Sequence, residues 1–126
     1  MQYVIVGAGP AGVTAAETLR KTDPGGDVVL LGGEPEAPYS RMAIPYYLAG
    51  DIEEKGTHIR KADGHYDDLA IRYVQGTVAS VSAADGRLTL TDGVAMTYDR
   101  LLVATGSSPT NPPAPGFDRP AVHHCW

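Results

Sequence analysis

Apolar positions in this chain arrive first as an unbroken run, then at helical spacing, then as a run again. Tyr3-Val-Ile-Val6, preceded by Gln2, has the pattern of a strand buried on both faces of a parallel sheet. Residues 10 to about 21 place Val13, Ala16 and Leu19, with Ala15 beside them, on one side of a helix. Pro10 suits its first turn, Arg20 and Lys21 suit its negative end, and Asp23-Pro-Gly-Gly26 stops it. Val28-Val-Leu-Leu31 is a second buried strand. A strand, a helix and a strand joined this closely predict a parallel, right-handed pair.

The period changes further along. Residues 43–49 read as a short helix and 62–69 as another. Residues 71–74, 77–82 and 87–91 are β-rich and partly alternating. Gln75-Gly76 and Asp85-Gly86 punctuate them and Asp92-Gly93 closes the last, which predicts a small antiparallel meander. Residues 101–104 are apolar again, a further buried strand, and run into Ala104-Thr105-Gly106. Residues 109–120 hold five of the ten prolines and read as an extended connector. The expected fold is three-layered α/β, with a parallel sheet, helices and a meander.

Chemistry enters at the first turn. Gly7-Ala8-Gly9-Pro10-Ala11-Gly12 joins the first strand to the first helix, and Glu34 closes the second strand 22 positions after Gly12. Strand, glycines, helix and distal carboxylate in this order form the fingerprint of a turn that holds a dinucleotide pyrophosphate. The first glycine allows the sharp turn, the second close approach to phosphate, and the third tight helix–sheet packing. The helix N-terminus offers N–H groups and about half a positive charge. Glu34 can accept hydrogen bonds from both hydroxyls of an adenosine ribose and would repel a 2′-phosphate, which favours FAD or NAD over NADP.

Composition narrows the classes. The chain has 126 residues, 43% hydrophobic and 20% charged, as expected of one soluble globular domain. Its net charge of −5 argues against a nucleic-acid partner. No apolar run reaches membrane-spanning length, and a strand beginning by residue 3 leaves no room for a signal peptide. Cys125 is the single cysteine, so an internal disulfide is excluded and a reducing, cytoplasmic setting is expected.

Other residues admit plainer readings. Arg41, in Pro38-Tyr-Ser-Arg41, either meets a phosphate bidentately or is a surface arginine. His123-His124-Cys125 cannot easily converge on one ion, so no metal is expected. His58 and His65 are expected to be exposed. Tyr39, Tyr46 and Tyr47 could line a flavin ring, but core packing is the expected role for each.

Val4-Ile-Val-Gly-Ala-Gly-Pro-Ala-Gly12, Leu31-Gly-Gly-Glu34, Pro38-Tyr-Ser-Arg41 and Tyr98-Asp-Arg-Leu-Leu-Val-Ala-Thr-Gly106 together resemble the N-terminal FAD-binding segment of the pyridine nucleotide–disulfide oxidoreductase family. Four ordered motifs span about the first 110 residues. The resemblance implies a Rossmann-like FAD-binding domain in which the meander replaces a crossover helix, incomplete in this chain. It also implies that Val78 offers backbone contacts to adenine. Arg41 and Ala43-Ile44-Pro45 would lie near flavin and phosphates, and Ala104-Thr105-Gly106 would end a strand just before the chain crosses to an NAD(P)H domain. Pro38-Tyr-Ser-Arg41 and the following Ile44-Pro-Tyr-Tyr47 are most similar to the branch of NAD(P)H nitrite reductase flavin domains, ferredoxin reductases and coenzyme A disulfide reductases. Thiol-using members carry a redox cysteine just before a similar Pro-Tyr-Tyr; this chain has Met42, and a thioether forms no disulfide.

The expectation is therefore an N-terminal part of an FAD-binding domain over residues 1–108 and a proline-rich connector over 109–126. Its parent would be an NAD(P)H-dependent flavoprotein oxidoreductase, with the NAD(P)H domain supplied elsewhere by a companion polypeptide, by self-association or by a longer chain. The alternatives are an NAD-binding Rossmann module and a non-catalytic nucleotide-binding subunit or remnant. No catalytic acid, base or nucleophile is assigned.

Overall fold

The computed structural model describes residues 1–123. Strands β1 (Gln2–Val6), β2 (Asp27–Gly32), β3 (Ile71–Gln75) and β7 (Arg100–Val103) form one parallel sheet in the order β3-β2-β1-β7. Strands β4 (Val78–Ser82), β5 (Arg87–Leu90) and β6 (Ala95–Thr97) form a separate antiparallel sheet. Helix α1 (Pro10–Thr22) links β1 to β2, and the first two strands pair in parallel from Gln2 opposite Asp27 to Val6 opposite Leu31.

Strand alternation builds two cores from one sheet. Ile5, Val28, Leu30 and Ile71 point to one face and pack with Val13 and Ala16 of α1. Val4, Val29 and Leu31 point to the other and pack with Leu88 and Leu90 of the meander. Leu19 and Ala15 border the first cluster, as the helical spacing predicts. The three layers are helix, parallel sheet and meander. Among the described residues no helix is long and apolar enough to cross a membrane.

Four expectations are corrected. Residues 71–74 are not the first strand of the meander: β3 pairs in parallel with β2, Val28 opposite Ile71. The Gly76 N–H goes to the carbonyl of Gly32 at 2.8 Å instead of closing a hairpin. Residues 33–70 are long enough to return the chain to the same end of the sheet, which a parallel partner requires. The third meander strand is β6, reached through Asp92-Gly93 with Gly93 at φ +88°.

The helix expected at 62–69 shrinks to one turn, α3 (His65–Asp68), because Gly64 is left-handed at φ +76° and no side chain caps the helix start. The closing strand is not buried on both faces. In β7, Leu102 is 43% and Val103 62% exposed, because no described strand pairs beyond it. Tyr46 and Tyr47 of α2 (Ile44–Ala49) are exposed rather than packed in the core, since the main packing partners of that helix are the short 3-10 turns at Arg41–Ala43 and Glu54–Thr57. Residues 107–123 contain no helix or strand. His124, Cys125 and the end of the proposed connector lie outside the described residues.

Candidate functional site

Three adjacent parallel strands, β2, β1 and β7, end on one edge of the sheet, and each delivers a candidate group there. β1 runs into the glycine turn. Gly7 sits at φ +113°, where side-chain-bearing residues are strained, and its N–H donates to the Leu31 carbonyl at 2.9 Å. The Ala104 N–H donates to the Val6 carbonyl at 2.7 Å. A Cβ on Gly7 would fall on the Ala104 carbonyl oxygen, and one on Gly12 would fall on the Gly7 carbonyl oxygen. Turn, closing strand and helix are thus packed backbone on backbone. Ala8 borders the core beneath them.

Gly9 differs in kind. Its φ of −76° suits any residue, and nothing lies within 4 Å of the point a Cβ would occupy. This open cradle sits at the start of α1, whose first turn has no acidic residue and no side-chain cap. Pro10 brings no N–H, and Ala11, exposed, presents its own. The arrangement suits an anion approaching the backbone closely, which is what the donor set of a pyrophosphate cradle requires.

Glu34 follows β2, and its carboxylate is held from both sides. The Tyr39 hydroxyl donates to Oε2 at 2.6 Å, and Arg41 forms an ion pair with Oε1. The Arg41 guanidinium also stands 5.6 Å from the Tyr39 ring centre. Burial, then the hydrogen bond to Glu34, raises the Tyr39 hydroxyl above its ordinary value. An ionised carboxylate offers about four acceptor positions. Two are taken by Tyr39 and Arg41, so Glu34 keeps capacity for ribose hydroxyls while its orientation is already fixed.

Arg41 is therefore tied to Glu34, a meeting that neither plain reading of Arg41 contains. Ala43 and Ile44 are half-buried and Pro45 is exposed, immediately beyond it. Met42 is 84% exposed. Thr105 and Gly106 lie exposed beyond β7, with Gly106 at φ +72°. Val78 opens β4 opposite Leu90. Its predecessor Thr77 comes within 3.3 Å of where a Cβ on Gly33 would stand, so the start of β4 adjoins the approach to Glu34. Among the described residues no group of His, Cys, Asp or Glu could hold a metal ion.

A second polar cluster escaped the sequence reading. Glu17, on α1, accepts from Arg60 Nε and Nη2, both at 2.7 Å, and lies 2.9 Å from His65 Nε2. His65 is thus half-buried against a carboxylate, and His58 is half-buried beside Tyr39, where exposure was expected for both. In sequence their neighbours are polar, but the fold folds those neighbours back onto α1 and residue 39.

The Arg60 hydrogen bonds hold the Glu17 carboxyl at about 2, against an ordinary 4.5, with burial opposing and His65 assisting. A depressed folded-state value contributes stability that is complete above 4.5 and is lost as pH falls toward 2. The expected result is that Glu17→Gln lowers the unfolding midpoint at neutral pH. The gap to the unsubstituted protein should close between pH 4.5 and 2. A gap that stays constant through that window in urea titrations would contradict the assignment.

With that geometry in view, the relatives are informative. Residues 1–125 match the family described as pyridine nucleotide-disulphide oxidoreductase. Rhodocoxin reductase of Rhodococcus erythropolis is 36% identical over 126 residues, covering 98% of this chain and 29% of its own length. The crystal structure of a ferredoxin reductase for the CYP199A2 system of Rhodopseudomonas palustris superposes with a TM-score of 0.85 at 28% identity, over 96% of this chain and 30% of that one. The reductase in a covalent putidaredoxin reductase–putidaredoxin complex superposes with a TM-score of 0.82 at 32% identity, over 89% of this chain and 27% of that one. This chain spans 15% to 30% of the length of the curated relatives it matches. The chain belongs to the pyridine nucleotide-disulphide oxidoreductase family.

Proposed function

We propose that this segment is the N-terminal part of an FAD-binding domain, residues 1–108, in an NAD(P)H-dependent flavoprotein oxidoreductase. The observation that carries the reading is the convergence of the Gly7–Gly9–Gly12 turn, Glu34 and Ala104 at the ends of three neighbouring parallel strands. Family membership and likeness to ferredoxin reductases support the oxidoreductase class.

In this reading the backbone of Gly7, Ala8, Gly9, Pro10, Ala11 and Gly12 holds the pyrophosphate and Glu34 holds the adenosine ribose. Val78 borders the adenine. Arg41, Ala43, Ile44 and Pro45 lie toward the flavin side, and Ala104, Thr105 and Gly106 close the site beyond β7. Flavin bound there would supply hydride acceptance from NAD(P)H and onward electron transfer; the protein supplies position and electrostatics.

The remainder of the FAD domain and the NAD(P)H domain belong to a longer polypeptide or a companion one, reached through the connector at 109–126. The exposed apolar edge of β7 supports this, because an unpaired edge invites a further strand. A ferredoxin-type acceptor fits the name of one relative, a probable ferredoxin reductase, and the single cysteine supports a reducing, cytoplasmic setting.

Met42 makes a specific outcome expected in reductive titration of the complete flavoprotein. Uptake should stop at two electrons per flavin, with no long-wavelength thiolate-to-flavin band. Four-electron uptake, or inactivation on alkylating a cysteine, would sink the thiol-free reading.

A further inference from the structure

Residues 33–70 contain Glu34, Arg41 and Ala43 to Pro45, yet they add no strand to the sheet, and among them only Pro38 and Thr57 are buried. Ile59, Tyr66 and Leu69 pack at the border of the core, and polar ties add to this anchoring. Arg20 ties its far end, with Nε donating to the Leu69 carbonyl at 2.7 Å and Nη2 to that of Ala70 at 2.5 Å. Glu17 ties its middle.

We propose that Glu17 is the positioning residue for the flavin-side segment: gripping Arg60 and His65, it fixes residues 38–41 from the opposite side. The proposal rests on the cofactor reading above. Val13 and Ala16 seat α1 on the sheet with no exposure, so Glu17 projects from a rigid support. Its carboxylate, 14% exposed, takes both arms of the Arg60 fork, a geometry that fixes direction as well as distance.

From Arg60 the tie passes through the backbone. Arg60 Nη1 donates to the Ile59 carbonyl at 2.9 Å, clasping the chain at that point. The Ile59 N–H donates to the Pro38 carbonyl at 3.0 Å, and the Ser40 N–H donates to the Thr57 carbonyl at 2.9 Å. Tyr39 and His58 face each other in this antiparallel bridge. Tyr39 then orients Glu34, and Arg41 pairs with it. Glu17 is thus joined to the ribose-side carboxylate by an unbroken series of hydrogen bonds and short covalent steps, without touching the glycine turn itself.

The test uses the full-length flavoprotein that contains this segment. Amide hydrogen exchange is measured for Ser40 and Ile59, with β1 and β2 as internal reference, and FAD affinity is measured in parallel. Glu17→Gln is expected to speed exchange at Ser40 and Ile59 about tenfold or more beyond any change in the two strands, whose protection should fall only in step with the unfolding midpoint. FAD affinity should fall about tenfold. Arg60→Gln should act in the same direction, and the effects of the two substitutions should be less than additive, since the Glu17–Arg60 pair is lost in both. If Glu17→Gln does not fold, Arg60→Gln carries the comparison.

Unchanged protection at Ser40 and Ile59 overturns the proposal, as does a uniform loss that includes β1 and β2. Local loss with unaltered FAD affinity overturns it too. Absence of FAD from the unsubstituted protein would instead count against the cofactor reading, and the exchange measurement would still decide whether Glu17 holds residues 38–41.

Discussion

Alanine at Gly12 is expected to destabilise the fold by about 3 kcal/mol and to abolish stable cofactor binding, whereas alanine at Gly9 leaves folding nearly untouched. The two glycines stand three positions apart in one motif, but their surroundings are opposite. A Cβ on Gly12 would overlap the Gly7 carbonyl oxygen, with Ile5 also at 3.4 Å, and backbone atoms of a strand-to-helix turn cannot step aside as a flexible side chain would. Helix α1 would have to lift from the sheet, opening the core around Val13 and Ala16. At Gly9 the backbone is already in a region open to alanine, and the space above it is clear.

Gly9→Ala should therefore unfold within about 0.5 kcal/mol of the unsubstituted protein. Its methyl group should still intrude where phosphate must approach, so FAD affinity should fall. Chemical unfolding and FAD titration of both variants separate the roles. Equal destabilisation by the two substitutions would contradict the packing account, and full FAD affinity in Gly9→Ala would contradict the phosphate account.

Replacing Glu34 by alanine is expected to weaken FAD binding at least tenfold. Two charge-assisted hydrogen bonds to ribose hydroxyls are lost, each contributing on the order of 1.5–3 kcal/mol at most. The structure adds a reason to expect the full effect. Tyr39 and Arg41 hold the carboxylate in one orientation before any ligand arrives, so binding need not order it. Removing Glu34 also releases Arg41 from its pair. The fold should tolerate the change, because the pair is more than a third exposed and such pairs contribute little to stability. Flavin occupancy at limiting FAD is the measurement, and occupancy equal to that of the unsubstituted protein would refute the ribose assignment.

What the sequence made legible follows from the range of the interactions involved. β1, α1 and β2 could be read because their apolar spacing is local and both faces of the inner strands are covered. The glycine turn could be read for a similar reason: its requirements are steric and act on neighbouring backbone. β3 was misassigned because, as an edge strand, it alternates between the buried Ile71 and the exposed Arg72, just as an antiparallel strand does. Its true partner β2 lies across residues 33–70, and nothing local records that pairing.

The exposure of β7 was hidden because apolar residues announce a need for burial, not whether this stretch of chain provides it. Tyr39, Glu34 and Arg41 are near in sequence, yet their meeting depends on the bridge between Tyr39 and His58. Glu17 and Arg60 stand 43 positions apart, and no spacing rule joins a helix to a loop at that distance.

Cofactor identity decides the central claim most directly. The polypeptide containing this segment is purified under native conditions, denatured, and the released nucleotide identified by chromatography and absorbance. FAD at close to one per polypeptide, lost in parallel with the flavin absorbance of Gly9→Ala and Glu34→Ala, is the result expected. NAD in place of flavin, or no nucleotide together with no uptake of added FAD, would contradict the account.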